Sequence, residues 1–107
     1  MSITFIWNLM FKRAFKPEAK NMLIDILHQL LQHLDKSQDS IWSDIEVSQV
    51  AIIIENQLSS LNNTNKLNVS KIHYLFLPAA PLQEIAIENG WHEEYLILAE
   101  RFDRLIS

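Results

Sequence analysis

The stretch YLFLPAAPLQEIAIENGWHEEYLILAERF, residues 74–102, decides the fold. Pro78 lacks an N–H and its ring clashes with a preceding helical turn, so a helix carrying Val69, Ile72, Leu75 and Phe76 must stop close to it. Pro81 suits the first position of a new helix, and Glu84 in that first turn complements the helix dipole. Asn89-Gly90 then closes this short helix, because Gly90 takes a left-handed conformation without a Cβ penalty. Beyond it Trp91, Tyr95, Leu98, Ala99, Phe102, Leu105 and Ile106 fall on one face of a helix held for four turns. Glu93 and Glu94 at its start and Arg101 and Arg104 near its end agree with the dipole.

Working outward, the same periodicity recurs. Lys16-Pro17-Glu18 reads as a helix start, followed by the stripe Met22, Leu23, Ile26, Leu27, Leu30, Leu31 and Leu34. Ser43-Asp44-Ile45-Glu46 reads as a capping box with Trp42 and Val47 as its hydrophobic staple. The helix it opens carries Val47, Val50, Ala51, Ile54, Leu58 and Leu61 on one face. Ile45 and Ile52 lie nearly opposite, which we read as a helix covered on its back by the N-terminal segment, the alternative being an oligomer interface. Residues 62–66 read as a polar loop, with Asn65 or Asn68 as the cap of the next helix. At the N-terminus Ile3, Ile6, Trp7, Met10 and Ala14 make a stripe that Phe5, Leu9, Phe11 and Phe15 widen until nearly every side is apolar.

The expectation is an all-α, compact bundle of five to six helices with no sheet, in a single domain spanning residues 1–107. Core helices are expected near 17–36, 43–61, 69–77 and 91–106, a short one near 81–89, and an amphipathic N-terminal helix near 3–15. A chain of 107 residues, 49% apolar with one glycine, supports one core and argues against the many tight turns of a sandwich or barrel. With no cysteine it offers no disulfide, thiolate ligand or thiol nucleophile, and it suits a reducing cytoplasm.

The net charge is −4. Lys12, Arg13, Lys16 and Lys20 against Glu18 make the first 20 residues basic, so the remainder is acidic and non-specific nucleic-acid binding is not expected. His28 and His33 lie five apart, roughly 140° around a helix, and so do not chelate together. His92 has no second histidine at zinc-site spacing. Glu84, Glu88, Glu93, Glu94 and Glu100 occupy solvated helix positions, and neither a glycine-rich phosphate loop nor a nucleophile elbow is present. No catalytic residue, metal site or cofactor is assigned, and an enzyme is the least favoured class.

Two surfaces remain. Residues 1–16 read as a segment packed on its own domain, or as one docking on a partner or an anionic membrane through Phe5, Trp7, Phe11, Lys12, Arg13 and Lys16. Residues 78–84, with Pro78, Ala79, Ala80 and Pro81 as a rigid, mostly apolar loop edged by Gln83 and Glu84, read as a stiff corner that orients the last helix or as an exposed loop suited to binding. With the acidic start of the last helix it nominates Gln83, Glu84, Glu93 and Glu94 as contacts for an unidentified, basic protein partner. The expected function is a small acidic protein-interaction module, for example a toxin-neutralising immunity-type protein.

Phe76, Pro78, Leu82-Gln83-Glu84, Gly90-Trp91 and Phe102-Asp103 together resemble a pattern found in small bacterial helical proteins. The likeness covers residues 42–103, with Ala80 and His92 standing where the pattern has glycine. It implies a bacterial, cytoplasmic protein and carries no activity with it.

Overall fold

A computed structural model describes residues 12–41, 43, 45–77 and 80–106. The described residues form an all-α bundle of five helices, α1 (Pro17–Asp35), α2 (Val47–Thr64), α3 (Val69–Leu75), α4 (Pro81–Glu88) and α5 (His92–Ile106). Two three-residue strands, β1 (Lys12–Ala14) and β2 (Lys66–Asn68), complete it. They pair antiparallel, Lys12 opposite Asn68 and Ala14 opposite Lys66.

The all-α class stands with this six-residue ladder beside it, and the expected helix near 3–15 is corrected at residues 12–14. Residues 3–11 lie outside the described residues; residues 12–14 are extended. Pro17 holds the preceding residue out of the helical region, and Lys16 is accordingly extended at φ −64°, ψ 155°. Asn65 supplies the pairing surface. It closes α2 in the left-handed region at φ 60°, turning the chain so that 66–68 runs back as a strand. Its side-chain Nδ2 donates to the Phe15 carbonyl at 2.9 Å.

α2 also starts and ends later than expected. The helix begins at Val47, with Glu46 as N-cap, and not at the Ser43-Asp44-Ile45-Glu46 box. The Glu46 N–H donates to Gln49 Oε1 at 3.0 Å, and the Val47 N–H donates to Asp39 Oδ1 at 2.7 Å. Ser43 turns inward locally, its Oγ donating to the Ile45 carbonyl, while Trp42 and Asp44 lie outside the described residues. At the other end residues 62–64, read as loop, remain helical. Thr64 Oγ1 returns a bond to the Ser60 carbonyl at 2.8 Å, and the left-handed Asn65 sends its N–H to Leu61 at 3.1 Å.

The other boundaries follow the sequence. Pro17 and Pro81 open α1 and α4, Asn68 Oδ1 caps α3 through the Lys71 N–H, and Gly90 has φ +80°. The core is built from Leu23, Ile26, Leu27, Leu30 and Leu34 of α1, with Val50, Ile54 and Leu61 of α2. Leu67, Ile72, Leu75, Leu82 and Ile85 join it, together with Leu98 and Phe102 of α5. Each fully buried large apolar side chain contributes roughly 1.5–3 kcal/mol of transfer free energy. Ile45 packs against this core, whereas Ile52 is exposed, so the two do not form one covered back of α2.

The start of α1 meets the end of α2 through the ladder, and the end of α1 faces the start of α2 across the 36–46 connection. The two helices therefore lie side by side in opposite directions. α5 packs along α1, where Arg101 bridges to Asp25 at 3.1 Å.

Candidate functional site

α5 is seated by an aromatic cluster. The Trp91 ring stacks on His33 with centroids 4.7 Å apart and planes at 7°. Its Nε1–H donates to Ser37 Oγ at 2.9 Å, and Tyr95 meets it edge-on. Phe76 stacks on Phe102 at 4.5 Å. Burial, and secondarily the negative charge of Asp103, pushes the Tyr95 phenol up to about 12; its hydroxyl donates to the Phe76 carbonyl. His33 is thereby accounted for by packing, and His28 sits apart from it on the exposed side of α1.

On this base stand the four nominated residues. Glu93 and Glu94 are exposed in the first turn of α5, while Gln83 and Glu84 are half-buried in α4. Gln83 Nε2 lies 3.4 Å from His92 Nε2, which ties the first turns of α4 and α5 together. No ion pair among the described residues engages Glu84, Glu93 or Glu94. The expected exposed loop at 78–84 is not found in its second half. Ala80 and Pro81 are buried, because Pro81 is the first residue of a helix whose inner face joins the core; Pro78 and Ala79 lie outside the described residues. Of the membrane-docking set, Phe5, Trp7 and Phe11 also lie outside them, Lys12 and Arg13 belong to β1, and Lys16 is exposed.

Sequence reasoning missed a second surface. Between the end of α1 and the start of α2 lies an open cleft of about 830 Å³. Leu31, Leu34, Val47 and Ala51 line it as half-buried or buried apolar groups, and Asp35, Asp39 and Glu55 stand exposed around it. Among the described residues no lysine or arginine lines it, and its remaining walls include His28, Ser37, Gln38 and Ser48. Apolar-to-acidic alternation at the two helix ends was visible in the sequence, but only the pairing of α1 with α2 brings the residues together.

The cleft and the α5 surface share a joint. Asn89 grips the backbone of Gln38 from both sides, its Oδ1 accepting from the Gln38 N–H at 2.8 Å and its Nδ2 donating to the Gln38 carbonyl at 2.8 Å. With the Trp91 to Ser37 bond this fixes residues 37–38, part of the cleft wall, to the turn that precedes α5.

No family model, curated protein or solved structure matches this chain. Among the described residues no three histidine or carboxylate side chains converge to hold a metal ion, and no helix is long and apolar enough to cross a membrane. Nor is any buried side-chain nitrogen or oxygen left unbonded among them.

Proposed function

We propose that the protein is an acidic protein-interaction module of the bacterial cytoplasm whose α4 and α5 starts recognise a basic partner. A toxin-neutralising immunity-type role is its most concrete form. The observation that carries the reading is the pair Glu93 and Glu94, exposed and without a cation partner among the described residues, on a helix start immobilised from below. Exposed unpaired carboxylates on a rigid frame steer a cationic surface toward themselves and set register on contact. Gln83, held against His92, and Glu84 extend the surface onto α4.

The test is capture of the native protein's partner from the source organism, identified by mass spectrometry. It is repeated with Glu84→Lys, Glu93→Lys and Glu94→Lys combined, after circular dichroism has shown the fold intact. Loss of the captured protein supports the reading; no captured partner, or one indifferent to the three reversals, removes it.

A further inference from the structure

We infer that the cleft between α1 and α2 is a docking groove for the apolar face of a cationic amphipathic helix belonging to a protein partner. The inference rests on the reading of this chain as an acidic interaction module but places contact on a different face.

Three features specify the occupant. The first is shape. At about 830 Å³ the cleft is large, yet it is open to solvent, and a small molecule draws its affinity from having roughly 70–90% of its surface enclosed. A groove between two helix flanks instead suits a third helix laid along it, anchored by side chains at i, i+3, i+4 and i+7. The second is polarity: Leu31, Val47 and Ala51, half-buried in the cleft wall, offer apolar contact to such anchors, with Leu34 packed in the core behind them. The third is charge. Asp35, Asp39 and Glu55 surround those groups, and among the described residues no lysine or arginine lines the cleft and no ion pair neutralises them. A helix with lysines or arginines flanking an aliphatic stripe matches both features at once, whereas an acidic or neutral helix meets uncompensated carboxylates.

The groove is also built before anything binds. Asn89 holds Gln38 by two bonds, Trp91 holds Ser37, and Asp39 accepts the Val47 N–H, so the loop forming its end is tied to α5 and to α2. A wall already ordered spares the partner the entropic cost of ordering it.

The probe is a dye-labelled peptide of roughly 14 residues, leucine and lysine at helical spacing, long enough to become helical on contact. A second version carries glutamine for every lysine. Fluorescence anisotropy with the full chain is expected to give saturable binding of the lysine peptide that weakens as salt rises. Removing two groove charges with Asp35→Asn and Glu55→Gln is expected to weaken it about tenfold. Ser48→Trp, which places bulk in the groove from an exposed position, is expected to abolish it. Glu93→Lys with Glu94→Lys is expected to leave it within about twofold, as befits a separate site, so failure here and failure of the α5 surface are read independently. Absent binding, equal affinity for the glutamine peptide, or indifference to the groove substitutions overturns the inference.

Discussion

The two ends of the α1 and α2 pair are closed by different chemistry. At one end β1 and β2 bond backbone to backbone, with Phe15 and Leu67 buried beneath them. At the other, a connection without regular structure is held by side chains reaching from far along the chain, Asn89 to Gln38 and Trp91 to Ser37. A ladder of main-chain bonds tolerates most side chains. A closure made by an asparagine amide and an indole N–H depends on those groups being present, whereas the Asn65 amide on the Phe15 carbonyl is backed by main-chain ladder bonds, so the cleft end is the more open of the two to single substitutions.

The largest effects should come from the aromatic base that the cleft end leans on. Phe102→Ala and Trp91→Ala are each expected to cost about 3–5 kcal/mol, measured by denaturant unfolding. Trp91→Phe separates packing from latching, since it keeps a ring against His33 but leaves Ser37 without its donor. If it matches wild type, the indole bond adds nothing to closure and the contrast between the ends is weakened.

Next in size is a pH effect centred on Tyr95. Its folded pKa is raised to about 12 from 10.0, so the unfolded state loses the proton first as pH rises. Stability from this group is complete below pH 10 and is lost between pH 10 and about 12, by roughly 2–3 kcal/mol at about 1.4 kcal/mol per pKa unit. Absorbance titration of Tyr74→Phe, which leaves Tyr95 as the one tyrosine, checks it directly. A midpoint near 10 would show the phenol to be hydrated.

Gly90→Ala is expected to cost about 1–2 kcal/mol, because a Cβ is strained at positive φ. The added methyl meets no atom within 4 Å, so a larger loss would mean that the turn had moved and carried the Asn89 latch with it. Asp39→Ala should be the mildest, about 1 kcal/mol for an unmade bond at a helix start. Its loss should appear as fraying of α2 in thermal melts, with the ladder end unaffected.

Much of this architecture was legible in the sequence because it depends on local rules. Pro17 and Pro81 mark helix starts by their fixed φ, Gly90 marks a stop, and the stripe from Trp91 to Phe102 repeats the helical period. What could not be read depends on partners distant in the chain. Ser43-Asp44-Ile45-Glu46 has the composition of a capping box, but Asp39, eight residues before Val47, takes the N–H that fixes the true start. Ala14 continues the helical spacing that begins at Ile3, yet the backbone of 12–14 pairs with 66–68, a choice that the left-handed Asn65 makes possible. The same limit governs function. Glu93 and Glu94 could be nominated from position in a helix, whereas Asp35, Asp39 and Glu55 become a surface only once α1 and α2 are side by side.

The Asn89 latch bears on how the protein comes into being. Gln38 and Asn89 are 51 residues apart, so during synthesis α1 and α2 are complete well before the residues that shape the loop between them exist. Helices pair early where contacts are local, and long-range contacts wait for the chain to supply them. Until Asn89 and Trp91 have emerged, the helical pair carries its acidic groups on an unshaped end. The groove is thus a property of the nearly finished chain, and a nascent or prematurely terminated product would present helices without a recognition surface.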